Sequence, residues 1–380
     1  MVLTGNIVSG MKCGYGKLII KDELIESIEF YGESKPDADW LLPGFIDTHF
    51  HGLGDGDASA EKVHLMAIAA PPTGMTTFCP ALGSNTRERM CSFLSKVADL
   101  VENPIPGASR LAGSHLEGPY LDMAHKGGMM PEHVRMPDFD ELAEFFTAAR
   151  GTLKIMTVAP ELPDGLRLVK ELKAHRVAVS AGHTGMNTAD LQKFVDCGGD
   201  AVCHLFNAHD GRDVVLGVPV TSVVDAAMIE DRLLLELIVD GVHVPPPLVK
   251  LTVRAAGCDR VVAITDSMQG AGLPDAEYLT PDGRPFILTN GDVCRLKGNP
   301  DYILGSCLTM NWAFYNLVER FGFRPEEAAM MTATNGAKYL QIADRTGKIE
   351  PGLLADIAVL KADKVTVKQT ILAGQVIYGL

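Results

Sequence analysis

The chain has 380 residues, 47% of them hydrophobic and 22% charged, which is the balance of a globular protein long enough for one large domain and an addition. Its formal net charge of −14 argues against nucleic acid or an anionic membrane as the main partner, so any site for an anionic ligand has to be built locally. Eight cysteines at 13, 79, 91, 197, 203, 258, 294 and 307 form no CxxC pair, the opening MVLTGNIVSGMKCGYG lacks a basic-then-apolar leader, and no apolar run reaches about 18 residues, so the expectation is a reduced, cytoplasmic protein without membrane spans.

Residues 1–43 read as short strands, because GKLIIKDELIESIEF alternates apolar and polar residues around charged turns. The middle of the chain has another rhythm. Short apolar runs at 44–48, 75–80, 110–114, 153–159, 176–181, 200–205, 233–240 and 260–266 alternate with helix-like stretches such as TRERMCSFLSKVADLVE, DFDELAEFFTAAR and PPPLVKLTVRAAG. Strands separated by helical spacers imply parallel pairing through crossovers, and a count of eight favours closure into a barrel. Residues 270–304 read as an inserted loop or hairpin after strand eight. Residues 346–380 return to the Val/Ile/Leu-rich, Gly-punctuated pattern of the N-terminus. The predicted fold is α/β: a (β/α)8 TIM barrel over 44–345, with a small β-sandwich domain built from 1–43 and 346–380.

Chemistry-bearing residues gather at the C-terminal ends of the predicted strands, which in a barrel share one mouth. His49 and His51 follow strand one, His115 and Glu117 strand three, His183 strand five and His243 strand seven; His204 ends strand six and Asp266 strand eight. In His-x-His the period of two points both rings to one side. Imidazole and carboxylate are the usual ligands of zinc and similar divalent ions. A lone His at a strand end is more often a structural hydrogen-bonder, and Asp266 alone could be a helix N-cap. Coincidence becomes a poor account only when so many strand ends carry such groups together. His64, His133 and His175 lie in helical or polar stretches and receive no role.

PGFIDTHFHG at 43–52 resembles the opening metal motif of the amidohydrolase superfamily. HLEGPY at 115–120, SAGHTG at 180–185, HLFNA at 204–208, DGVHV at 240–244, TDSMQGAG at 265–272, GSCLTM at 305–310 and ATNGAKYL at 333–340 together resemble the N-acetylglucosamine-6-phosphate deacetylase family, over nearly the whole chain. The resemblance implies Glu117, His183 and His204 as ligands of a principal divalent ion, and His49 and His51 as holders of a second, with Glu117 bridging; zinc or iron is the expected metal. It implies Asp266 as the catalytic proton carrier. It implies a sugar-phosphate site at Gly128, Asn207, Ala208, Arg212, His243, Ile303, Leu304 and Gly305. It also implies a homodimer in which Arg212 reaches the neighbouring subunit's site.

Two departures bear on the substrate. The family often carries Lys-Gly-x-His after the Glu motif, where the His holds the acetyl carbonyl; here KGGM puts Met129 at that position, and Met donates no hydrogen bond. The stretch between Asn207 and Arg212 is also shorter than in many members. The expected reaction is deacetylation of N-acetylglucosamine 6-phosphate, with a related N-acyl sugar phosphate such as N-acetylgalactosamine 6-phosphate as the alternative. A cyclic amidase would place a carboxylated lysine at strand four, where this chain reads TVAPE. A nucleobase deaminase would add His-x-x-Glu after the later metal histidine, and neither His183 nor His204 has it. A non-catalytic sugar-phosphate binder would not need the full ligand set beside Asp266.

Overall fold

A computed structural model describes residues 1–209, 214–215, 218–280 and 282–380, and of 214, 215 and 219 the backbone only. The eight expected strand positions all carry strands. In order they are Phe45–Asp47; Met75–Phe78 continued by Ala81–Gly83; Arg110–Leu111 continued by Ser114–Glu117; Leu153–Val158; Ala178–Ala181; Ala201–Val202; Leu234–Ile238; and Val261–Ile264. Each pairs in parallel with its sequence neighbour, which makes one curled sheet. Strand eight returns to strand one at the mouth, where Asp266 N–H donates to His49 O at 2.9 Å and His51 N–H to Ser267 O at 2.8 Å.

Helices connect the strands on the outside, among them Arg87–Glu102, Phe139–Ala149, Gly165–Ala174, Thr188–Asp196 and Pro246–Ala256. Their starts are coded locally. Asn187 and Ser222 each accept from the backbone one turn on, while Asp190 and Asp225 reach back to close capping boxes. The barrel interior is stratified. Small apolar residues, including Ile46, Cys79, Ile155, Ala178 and Ala201, fill the lower end against Tyr339 and Leu340. Buried polar residues, including His49, His115, Thr157, Ser180 and Glu236, take the upper end.

Both chain ends contribute to a single seven-stranded sheet, in the order Gln375–Gly379, Val367–Leu372, Ile357–Leu360, Trp40–Pro43, Val2–Ser9, Lys12–Lys21, Leu24–Gly32. Trp40–Pro43 pairs antiparallel with Leu360–Ile357 and parallel with Val2–Ser9. Its alternation serves two cores: Leu41 joins Ile7, Leu18 and Ile357, whereas Leu42 joins the main core with Phe45 and Phe314. The buried Asp356 ties this sheet to the barrel, accepting from Arg110 Nη1, Thr346 Oγ1 and Ala373 N–H, each at 2.7 Å.

The segment after strand eight is more than a hairpin. Ala276–Leu279, Pro285–Leu288, Val293–Leu296 and Ile303–Ser306 form a four-stranded antiparallel sheet around Met268, Phe286, Leu288 and Cys294. Its last strand is bonded to the end of strand eight, with Ser306 N–H on Asp266 O at 2.9 Å and Met268 N–H on Ser306 O at 3.0 Å. No helix among the described residues is long and apolar enough to cross a membrane.

Candidate metal centre

The structure brings His49, His51, Glu117, His183, His204 and Asp266 together at the mouth. Glu117, the last residue of strand three, lies at the centre and is buried. Its Oε1 is 3.0 Å from His183 Nε2, 3.1 Å from His204 Nε2 and 3.4 Å from His49 Nε2. Its Oε2 is 3.3 Å from His51 Nε2. Asp266 Oδ1 lies 3.1 Å from His51 Nε2.

The opposite ring nitrogens are all engaged. His51 Nδ1 donates to Ala81 O at 2.8 Å, His183 Nδ1 to His125 O at 2.9 Å, His204 Nδ1 to Asn207 O at 3.1 Å, and His49 Nδ1 to Glu236 Oε2 at 2.9 Å. Each bond fixes the tautomer whose Nε2 lone pair faces Glu117, which is how metal-binding histidines are usually held. His183, His204 and Asp266 all sit at positive φ (49°, 22° and 48°), a strained backbone that aims side chains from the strand ends into the mouth.

The cluster calls for positive charge. Burial disfavours a charged His51, but the Asp266 and Glu117 carboxylates overcome it and push its pKa up to about 10. Burial is likewise outweighed at His49 and His204, whose pKa values shift up beside Cys203 and Glu117. Burial also opposes ionisation of Glu117 and Asp266, yet the surrounding histidines hold both below their ordinary range. Glu117 Oε2 and His49 Nε2 are buried polar atoms without a hydrogen-bond partner. Two orphaned lone-pair atoms, a carboxylate oxygen and an imidazole nitrogen, lying within a set of ligand-type side chains, fit a divalent cation better than a proton network.

His115 serves another purpose. Its ring lies beneath the cluster, bonded to Thr48 O at 3.1 Å and to Thr157 Oγ1 at 2.8 Å, and burial drives its pKa down to about 3. Glu236 was not found by sequence reasoning. It is wholly buried and braces His49 while accepting from Ser180 Oγ and Tyr339 OH, both at 3.0 Å. The available signal was a carboxylate inside the apolar run LLLELIVD, a position that costs stability unless something demands it.

A cavity of about 260 Å³ opens above the cluster. Gly128, Asn207, Ala208, His243, Ile303, Leu304 and Gly305 line it, as does Met129. Arg212 lies outside the described residues. His243 Nδ1 is fixed by Asp240 Oδ2 at 2.6 Å, which leaves Nε2 for a ligand. Thr280, Asp282 and Arg284 of the inserted sheet also line the cavity and carried no local sequence signal.

Residues 40–377 match the sequence model of the amidohydrolase family. The chain is 32% identical over 365 residues, 94% of each chain, to the N-acetylgalactosamine-6-phosphate deacetylase of Escherichia coli O157:H7. It is 31% identical over 340 residues to the N-acetylglucosamine-6-phosphate deacetylase of Bacillus subtilis, covering 85% of this chain and 81% of that one. Among solved structures it is similar to the N-acetyl-D-glucosamine-6-phosphate deacetylase of Mycobacterium smegmatis, with a TM-score of 0.89, 28% identity and full coverage of both chains. An aspartate-to-alanine mutant of that enzyme in complex with N-acetyl-D-glucosamine 6-phosphate has a TM-score of 0.88 and covers 99% of each chain.

Proposed function

The chain belongs to the amidohydrolase family, among its N-acetylhexosamine-6-phosphate deacetylases, and we propose that its mouth hydrolyses the acetamide of N-acetylglucosamine 6-phosphate to acetate and the free amine. The observation that carries this reading is Asp266. Its carboxylate stands at the edge of the histidine–glutamate cluster, 3.1 Å from His51 Nε2, and lines the cavity. Glu117, His183 and His204 would hold one divalent ion, zinc or iron, and His49 and His51, with Glu117, would hold a second. Such ions supply a Lewis acid for the amide carbonyl and lower the pKa of water. Asp266, kept ionised by its neighbours, accepts the proton of the attacking water and returns it to the leaving nitrogen. The amine departs only when protonated, so one carboxylate acting as base and then as acid meets both needs.

Asn207, Ala208 and His243 are assigned to the phosphate, with Arg212 contributed by the partner in a homodimer. Gly128, Ile303, Leu304 and Gly305 lie along the sugar. The same reading divides the chain into a catalytic barrel over 44–345 and a supporting β domain over 1–43 and 346–380. N-acetylgalactosamine 6-phosphate is the second reading, favoured by the relative at 32% identity. The test is kcat/KM for both phosphorylated sugars and their unphosphorylated forms, on wild type and Arg212→Ala. Loss of the phosphate should cost on the order of 10²-fold or more in wild type, because remote binding energy positions the amide, and Arg212→Ala should shrink that preference. Equal rates with and without phosphate overturn the substrate assignment.

A further inference from the structure

One wall of the cavity has no task in this reading. Thr280, Asp282 and Arg284, from the turn between the first two strands of the inserted sheet, line the same cavity as Asp266, His183 and His204. The described residues of the turn are tied to one another by hydrogen bonds. Thr280 N–H donates to Arg284 O at 2.9 Å, and Gly283 N–H to Thr280 O at 2.8 Å. Arg284 grips the Asp282 carboxylate with Nη2 at 2.7 Å and with Nε at 3.1 Å to both oxygens. The Thr280 hydroxyl also donates to Asp282. Arg284 Nη2 donates further to Gly128 O at 3.0 Å, and the neighbouring Tyr302 hydroxyl bonds Gly127 O, which ties the inserted sheet to the Met129 loop. The side chains of Arg284 and Asp282 nonetheless keep 25% and 17% of their surface exposed.

The chemistry of this pair differs from that of a phosphate site. Asp282 neutralises Arg284, so the pair offers an anion little net attraction. A neutral carboxylate–guanidinium pair suits hydroxyl groups, which both donate and accept. Met129, Met130, Ile303 and Leu304, which also line the cavity, have apolar side chains, so apart from Ser84, Asn85 and the residues already assigned the polar lining is this turn. An N-acetylhexosamine 6-phosphate has its acetamide at ring carbon 2 and its phosphate on carbon 6. With those ends at the metal centre and at Asn207 and His243, the hydroxyls at carbons 3 and 4 form the remaining edge.

We infer that the Asp282–Arg284 pair is the subsite for these two hydroxyls, and that it thereby sets the preference between sugars epimeric at carbon 4. The inference rests on the deacetylase reading. The test compares the 3-deoxy and 4-deoxy analogues of N-acetylglucosamine 6-phosphate with the parent, on wild type, Asp282→Asn and Arg284→Lys, with metal content and Tm checked for each protein. Wild type should lose between about 10-fold and 150-fold in kcat/KM on at least one analogue, the range of one charged hydrogen bond. In the variants the parent should fall while that penalty largely disappears, and the ratio of rates on the gluco and galacto sugars should move towards one. A penalty that persists in both variants overturns the subsite. So does an equal loss on parent and analogues, which is the signature of a pair that only positions the Met129 loop. No turnover of either parent sugar by metal-loaded wild type overturns the deacetylase reading, and the subsite with it.

Discussion

His183 Nε2 and His204 Nε2 stand 3.1 Å apart, and each ring has committed its Nδ1 hydrogen to a backbone carbonyl. In their neutral forms both rings therefore present lone pairs to each other and to Glu117 Oε1. That arrangement is repulsive until a cation enters between them.

Metal loading should consequently expel protons. Without a metal, the raised pKa of His51, about 10, means that its ring is protonated at neutral pH, and His49 and His204 shift in the same direction. A metal ligand must be deprotonated, so affinity falls as the pH drops. Adding zinc or iron(II) to chelator-treated protein at neutral pH should release at least about one proton per protein, read in a pH-stat or by calorimetry in buffers of different ionisation enthalpy. Activity should vanish on chelation and return on reloading. Full activity in metal-free protein would end the metal assignment.

Asp266→Asn should keep the fold and the metal yet lose about 10²- to 10⁴-fold in kcat, the usual contribution of a proton-transfer group. The amide keeps the size of the side chain but cannot carry the proton. Near wild-type turnover, with metal content verified, would assign the base to another group.

Glu236→Gln tests the brace behind His49. The amide can still bond Ser180 and Tyr339, but it no longer matches a His49 Nδ1–H with a carboxylate. Loss of such a supporting contact typically costs 10- to 100-fold in metal affinity or activity. The loss should fall on the ion held by His49 and His51 and spare the ion held by His183 and His204. Competition with a chromophoric chelator resolves the two steps; an equal effect on both would show that Glu236 acts on the barrel as a whole.

Arg110→Ala should destabilise the junction of barrel and terminal sheet. Asp356 has no exposed side-chain surface and would lose its counter-charge while keeping its bonds to Thr346 and Ala373. Removing one partner of such a pair costs about 3 kcal/mol, visible as a lower urea midpoint. An unchanged midpoint would show that the remaining hydrogen bonds satisfy the carboxylate.

Much of the site was legible because its candidate ligands sit where a local pattern breaks. His49 and His51 end an apolar strand with period two, Glu117 interrupts HLEGPY, and His183, His204 and Asp266 each close a short apolar run. The eight strands were legible as short, mostly apolar and mostly buried runs set between helix-like stretches. Glu236 was not, because its meaning lies in His49, Ser180 and Tyr339, residues distant in sequence that only closure of the barrel assembles. The inserted sheet reads as a loop or hairpin in the sequence because AEYL, PFIL, VCRL and ILGS are too short to show a period. TPDGRP has ordinary turn composition, and only the place of Asp282 and Arg284 on the cavity wall distinguishes the pair.

The terminal sheet also sets a schedule for synthesis. Trp40–Pro43 is an inner strand whose antiparallel neighbour, Ile357–Leu360, leaves the ribosome only after the whole barrel has been made. At roughly 5–20 residues per second, a gap of about 300 residues lasts roughly 15–60 s. Throughout that interval the nascent chain displays an open strand edge carrying Trp40, Leu41 and Leu42, all buried in the finished protein. Open apolar edges recruit other strands. Yield from a crowded ribosome therefore depends on how well that edge is guarded while it waits, and slowed translation of the barrel or depletion of chaperones should send the protein into aggregates.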